Sequence, residues 1–568
     1  MAGQTDVPAV AIVVVDDDAA TLAQMEHLLT RRFGADYRVV VDTDAERALE
    51  RMASLRQEGV AIALVLADQF MPAMSGIDLL VRSAELAPEA KRAVLLGPGE
   101  LNATREDLLR SAALGDIETY LSKPTRQPDE PFYRAVGRFI EDWDRLNRPQ
   151  FELIRLIGDP WDPGVLRIRD AMYRSGLPTG FYAADSDAGR ALLEQAGTAG
   201  PLPVVVTFDG RVLTEPTGAQ IAALLGVNVD PSGHNFDVIV VGAGPAGLAA
   251  AVYAASEGLH VLIVETEALG GQASTSSLIR NYLGFPRGLS GVDLTTRAYW
   301  QAWFFGARFI LGRNAAGLRA DGDLRVLLLD DGTQARARAI VLASGVSYRR
   351  VGIESIERFV GRGVFYGAPV TQAPGIADQP VLVVGGGNSS AQAALFLARY
   401  ASRVTLVVRN PGLEDMSQYL IDDITADSSI EVRPNTALVG AEGDTRLRRV
   451  TLHDRVRDVR DTVEASAVFV LIGGEPRTEW LPPEIVRDER GYVLTGADVN
   501  AVMYEVADRP ALHYETSMPG VFAAGDVRQG GLKRVAAAVG DGSSTIRHVH
   551  EYLALHAHAH REVAPTKS

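Results

Sequence analysis

Two glycine-rich turns carry the plainest chemistry in this sequence. In NFDVIVVGAGPAGLAAAVYAASEGLHVLIVE, Gly242, Gly244 and Gly247 follow an apolar run, open a helical pattern, and are answered by Glu265 at the end of the next apolar run. Glycines at that spacing allow a tight turn and let the backbone approach a pyrophosphate, while the helix start offers free amides and a positive dipole. The pattern recurs in QPVLVVGGGNSSAQAALFLARYASRVTLVVR, where Gly385, Gly387 and Ser390 take the glycine positions beside Asn388 and Ser389, and Arg409 replaces the terminal acid. A carboxylate there accepts from free ribose hydroxyls, whereas an arginine suits a 2′-phosphate. The first turn therefore fits the adenosine half of FAD and the second fits NADPH, with NADH as the alternative. The chain contains no cysteine, which excludes every thiol or disulfide mechanism.

The elements that must position these turns alternate apolar and amphipathic runs, the mark of α/β structure. With 568 residues, several domains are expected, since one core rarely serves more than about 250–300. The first, over 1–148, opens on VAIVVVDDD, a buried-strand pattern that delivers Asp16 and Asp17 to a sheet edge; AIALVLADQFMP similarly ends near Asp68, and TYLSKP carries Lys123. A polar stretch ending in NRPQ leads into a second segment, 149–232, whose FELIRLIGDPWDPGVLRIRDAMYRSG reads as strand, loop and helix. The two glycine turns divide the remainder into 233–350, 351–475 and 476–568. A net charge of −16 argues against a direct nucleic-acid surface. No apolar run reaches the ~18–20 residues of a membrane span, and MAGQTDVPAV lacks the pattern of a signal peptide, so no membrane partner and a cytoplasmic location are expected. The histidines near the C-terminus (His548, His550, His556, His558, His560) read as a solvated end rather than a metal site.

These residues carry three resemblances. The first segment resembles a flavodoxin-like response-regulator receiver. The resemblance implies Mg²⁺ held by Asp16, Asp17 and Asp68, phosphorylation of Asp68 with Lys123 contacting the phosphate, and a histidine kinase or phosphotransfer partner. Receivers carry Thr or Ser after the fourth strand, and here Gly97 stands in that place. The second segment resembles a thioredoxin or glutaredoxin-like module. Leu202-Pro203 matches the proline that is cis in that family, and Asp162 and Val165 stand where the redox cysteines would be, Asp162 being expected to cap a helix instead.

The rest closely resembles the thioredoxin reductase family, a Rossmann-like flavoprotein with an inserted NAD(P)H domain. On that resemblance Gly271, Gln272, Asn281, Asp526, Lys533, Arg534 and Val535 join Gly242, Gly244, Gly247 and Glu265 around FAD, and a homodimer is implied. The family's Cys-x-x-Cys is absent: after Tyr366, Gly367 and Val370 stand in the cysteine positions. Its 2′-phosphate arginine cluster is also reduced, because Asn410 and Glu414 accompany Arg409. The full layout resembles proteins known as fused response regulator and thioredoxin-disulfide reductase. The expected function is an FAD-dependent NADPH oxidoreductase with no catalytic cysteine, passing electrons to an unnamed, non-disulfide acceptor, with Gly367 to Val370 as a passive wall. The competing expectation is a nucleotide- and redox-sensing signalling module with vestigial catalysis.

Overall fold

The computed structural model describes residues 10–114, 117–124, 129–147, 152–198, 200–276, 278–285, 288–367, 373–502 and 509–562. The chain forms two compact units. One takes in the residues up to Glu152 together with Leu397–Ser402 and Met416–Ile430, and the other takes in the remainder.

In the first unit a five-stranded parallel sheet runs in the order Arg38–Asp42, Val10–Val15, Ala61–Asp68, Lys91–Leu96 and Thr119–Ser122. Ala11, Val13 and Val15 enter the core on one face, and Val10, Ile12 and Val14 enter that on the other. A strand covered on both faces has no polar side, which is why its sequence is apolar throughout. Strand order reverses between Val10–Val15 and Ala61–Asp68, so the carboxyl ends of these two strands meet, and the residues that follow them are brought together.

The second unit begins with a four-stranded sheet in the order Thr179–Ala183, Ile154–Gly158, Val204–Thr207 and Val212–Thr214; the first pair is parallel and the others antiparallel. The helix Pro163–Arg174 packs Val165, Ile168 and Met172 against Ile154 and Leu156. Asp162 caps this helix, accepting from the N–H groups of Gly164 and Val165 at 2.8 and 3.0 Å, and the Leu202–Pro203 peptide is cis.

A seven-stranded sheet follows. Arg308–Leu311, Val261–Glu265, Asn235–Val241 and Gln334–Leu342 are parallel neighbours, and Leu324–Leu329 and Ala315–Asp321 continue the sheet in antiparallel fashion. Val521–Ala523, almost two hundred residues later, pairs in parallel with Gln334–Leu342, so the chain leaves this sheet and returns to it. Val238 and Val240 pack under the helices Pro245–Ser256 and Val535–Glu562, while Ile239 and Val241 face the opposite core. The excursion builds a second sheet of Val364–Tyr366, Ala467–Val470, Pro380–Val384, Arg403–Val407 and Ile430–Arg433. It is reached and left through two short antiparallel strands, Val346–Tyr348 and Gly474–Pro476. Each sheet places one glycine turn between its central strand and the next helix. Among the described residues no helix is long and apolar enough to cross a membrane, and the only group with metal-binding spacing is Asp16, Asp17 and Asp68. The His558 and His560 side chains lie outside the described residues.

Candidate active site

Both glycine turns open into one cleft of about 2180 Å³ in the second unit. At the first, Gly242 adopts φ +109°, and a Cβ there would stand 2.3 Å from the Ala343 carbonyl oxygen; at Gly247 it would meet the Gly242 carbonyl oxygen at 1.9 Å. Only glycine permits this approach of helix to strand. Gly244 differs: a Cβ there would meet nothing but Gly271 Cα, at 3.9 Å, and would project into the cleft. Gly244 is also the N-cap of the helix Pro245–Ser256 and makes no side-chain cap, so the helix end relies on its open amides. Glu265 is buried, with one oxygen accepting from Ala243 N–H at 2.7 Å and the other from Glu267 N–H at 2.9 Å. Those bonds fix its carboxylate at the cleft wall with lone pairs to spare. The arrangement fits the pyrophosphate and ribose of a dinucleotide.

Gly271, Gln272, Asp526, Lys533, Arg534 and Val535 line the same cleft. Gln272 Nε2 donates to the Val346 carbonyl at 2.7 Å, and burial raises the Asp526 carboxyl, with Lys533 opposing the shift. Lys533 itself donates to Tyr492 Oη at 2.5 Å and lies over that ring. Asn281 is different: it is exposed in the segment between the paired residues Ile279 and Leu289 and is not part of the lining.

At the second turn Gly385 (φ +151°) lies against the Leu471 carbonyl, where a Cβ would stand 2.3 Å away, and Ser390 Oγ donates to the Gly387 carbonyl at 2.6 Å. Gly387, Asn388, Ser389 and Arg409 line the cleft, whereas Ser390 is buried behind it. Asn410 is tied to Asp415 Oδ2 at 2.8 Å, and Arg409 beside it lines the cleft.

Between the turns stands Tyr348, a residue the motifs do not announce. Gly367 has φ +114°, and a Cβ on it would stand 2.8 Å from Tyr348 Cε2. Tyr348 Oη lies 3.4 Å from Thr275 Oγ1, and burial pushes its pKa up. The phenol thus fills the space that a side chain at position 367 would need. Ala368, Pro369 and Val370 lie outside the described residues. Tyr366 turns elsewhere, donating to Glu357 Oε1 at 2.6 Å, and burial together with that carboxylate pushes it up to about 12.

A family model described as pyridine nucleotide-disulphide oxidoreductase matches residues 236–542, the stretch that contains both turns. The chain belongs to this family. It is accordingly a pyridine-nucleotide-dependent flavin oxidoreductase with a Rossmann-like fold for FAD and NAD(P)H. The chain is 32% identical over 320 residues to the thioredoxin reductase of Mycolicibacterium smegmatis, which spans 56% of this chain and 96% of that protein. The thioredoxin reductase of Treponema pallidum (strain Nichols) is also 32% identical over 320 residues, covering 56% and 97%. The crystal structure of Lactococcus lactis thioredoxin reductase in its FR conformation is 25% identical with a TM-score of 0.51, covering 56% of this chain and 99% of that one.

In the first unit, considered by itself, Lys123 Nζ bonds Asp16 Oδ2 at 2.9 Å and Asp68 Oδ1 at 2.8 Å, with both acids buried. Ligand oxygens of Asp16, Asp17 and Asp68 lie within 4.8 Å of one another, an all-oxygen set that fits a hard divalent cation. Burial raises Asp68, and Lys123 only partly offsets it. Burial works against the Lys123 ammonium, but its bonds to Asp68 and Asp16 prevail and raise it. The third acid of the run, Asp18, caps the helix Ala19–Phe33 by accepting from Ala20 and Thr21. The Gly97 N–H is taken by Glu100 Oε2 at 2.6 Å.

Proposed function

We propose that this chain is an FAD-dependent NADPH oxidoreductase that passes electrons to a non-disulfide acceptor and carries a phosphorelay receiver at 1–148. The observation that carries the reading is one cleft lined by both glycine turns, in a chain without cysteine. A bound flavin supplies the redox chemistry, exchanging hydride with the nicotinamide and electrons with the acceptor. The chain's own residues bind and orient: the amides at Gly244 take the FAD pyrophosphate, Glu265 accepts from ribose hydroxyls, and Gln272 and Asp526 line the remainder. At the other turn Gly387, Asn388 and Ser389 take the NADPH pyrophosphate and Arg409 its 2′-phosphate. Tyr348 occupies the space next to Gly367, which leaves no room for thiol chemistry there.

The division proposed is a receiver at 1–148, a thioredoxin-like module without Cys-x-x-Cys at 149–232, an FAD domain at 233–350 and 476–568, and an NAD(P)H domain at 351–475. The parallel strand order and the Asp16, Asp17, Asp68 and Lys123 cluster support a receiver that binds Mg²⁺ and accepts a phosphoryl group on Asp68 from a histidine kinase. The cis Leu202–Pro203 peptide and the helix capped by Asp162 support the thioredoxin-like module. Exposed Trp300, Trp303, Phe304 and Phe305, at the end of the helix Gly291–Phe304, support a homodimer.

Anaerobic mixing of the yellow protein with NADPH tests the reading. Rapid bleaching of the flavin absorption is expected. A flavin that stays oxidised would favour the competing reading, a sensor whose nucleotide sites no longer turn over.

A further inference from the structure

A residue that grips the loop Gly271–Thr275 comes from another part of the chain. Arg174, at the end of the helix Pro163–Arg174, is buried, and its guanidinium crosses to the loop Gly271–Thr275. Its Nη2 donates to the Gly271 carbonyl at 2.8 Å and its Nε to Ser274 Oγ at 3.1 Å, while Ser274 Oγ donates to that same carbonyl at 2.8 Å. Nη1 pairs with Asp170 Oδ2 at 3.2 Å and Glu267 Oε2 at 3.5 Å, and Glu267 pairs in turn with Arg477 at 2.7 Å. Burial disfavours the Arg174 charge, but Asp170 and Glu267 outweigh it.

The loop has reason to be held. Gly270 and Gly271 adopt φ +87° and +53° in succession, and a Cβ on Gly271 would stand 3.1 Å from Gly244 Cα, so the loop backs directly onto the first glycine turn. Two glycines in a row make a loop with many accessible conformations, and fixing one of them costs entropy. A trans peptide points its N–H opposite its carbonyl, so anchoring the Gly271 carbonyl on Arg174 also fixes the direction of the Gln272 N–H. Gln272 is part of the cleft lining.

We infer that Arg174 is a positioning residue of the flavin cleft, which makes the four-stranded segment at 153–226 a working part of the site. The segment is suited to the task because it is docked at several points. Within it Trp161 lies under the Arg446 guanidinium at 4.0 Å, and Asn228, two residues past its end, exchanges two hydrogen bonds with Leu311, at 2.7 and 3.0 Å. A guanidinium fork delivered from such a base gives two directed, charge-assisted bonds that a lysine cannot reproduce. The inference rests on the flavin reading above.

Its test uses the full chain, stripped of FAD and reconstituted. Arg174→Gln is expected to weaken FAD binding about tenfold to a hundredfold, as befits the loss of charge-assisted bonds, and to shift the flavin midpoint potential. Arg174→Lys should recover part of both, and Ser274→Ala should show a smaller change of the same kind; these two variants carry the test if Arg174→Gln does not fold. Trp161→Ala loosens the same segment at a different contact, so it should lower the melting temperature while leaving FAD affinity within about twofold. Unchanged FAD affinity and potential in the Arg174 variants, or an equal loss of affinity in Trp161→Ala, would overturn the inference. A wild-type chain that takes up no FAD would instead overturn the flavin reading.

Discussion

Gly244 and Arg409 show what single residues contribute to the cleft. A side chain at Gly244 has open space ahead of it, so Gly244→Val should leave the fold intact and fill the path of the pyrophosphate. The expected product is a stable, colourless protein. Stoichiometric FAD retained by that variant would remove Gly244 from the site. Arg409 lines the other end of the cleft, and the neighbouring Asn410 amide is committed to Asp415. Arg409→Ala should therefore raise the KM for NADPH about tenfold, with little effect on NADH, because only the former carries a 2′-phosphate. Equal losses for the two nucleotides would contradict the assignment. In the first unit, the Asp68 pKa is raised by burial. On the proposed receiver reading, Mg²⁺ binding requires the ionised carboxylate, so its affinity should begin to fall at a higher pH than for an unperturbed aspartate as the solution is acidified. Asp68→Asn should abolish phosphate uptake from acetyl phosphate in intact-mass analysis.

At the scale of elements, the strand-to-helix turns are legible in the sequence because backbone geometry alone demands them. Gly247 approaches the Gly242 carbonyl, five residues away, at a distance no Cβ tolerates, and Gly242 itself turns at a positive φ; both constraints are local, whereas the approach of Gly242 to the Ala343 carbonyl is not. The alternation of apolar and amphipathic runs is equally local, which makes the parallel strands legible as well. Arg174 is not legible: its partner carbonyl lies 97 residues away, and a single arginine at a helix end carries no pattern. Tyr348 is hidden as well, since its significance comes from packing against Gly367, which follows a different strand, Val364–Tyr366. Of the three consecutive aspartates, the pair singled out in the sequence, Asp16 and Asp17, groups with Asp68, and Asp18 serves a helix N-terminus. The Tyr348–Gly367 contact leads to a prediction at this scale. Replacing both Gly367 and Val370 by Cys should not create a thioredoxin reductase, because position 367 needs a positive φ and its Cβ would press on the Tyr348 ring. Thioredoxin-linked reduction of dithionitrobenzoate by that double variant would show that Tyr348 leaves room for a thiol.

For the whole molecule, the decisive fact is the conjunction of a reductase cleft with the absence of every cysteine. Electron relay to thioredoxin proceeds by attack of a thiolate on a disulfide, and no residue in this chain can take that part. The 153–226 segment is bound into the same unit as the cleft, through Arg174 and Trp161, and it too lacks a thiol. On the proposed reading, electrons that arrive from NADPH leave the cleft directly to an acceptor that needs no disulfide step. The most direct measurement follows NADPH oxidation by the purified protein in two parallel assays, one with ferricyanide or a quinone and one with thioredoxin plus dithionitrobenzoate. Turnover with ferricyanide or the quinone, and none through thioredoxin, is the predicted result; thioredoxin-dependent turnover by this cysteine-free chain would contradict it.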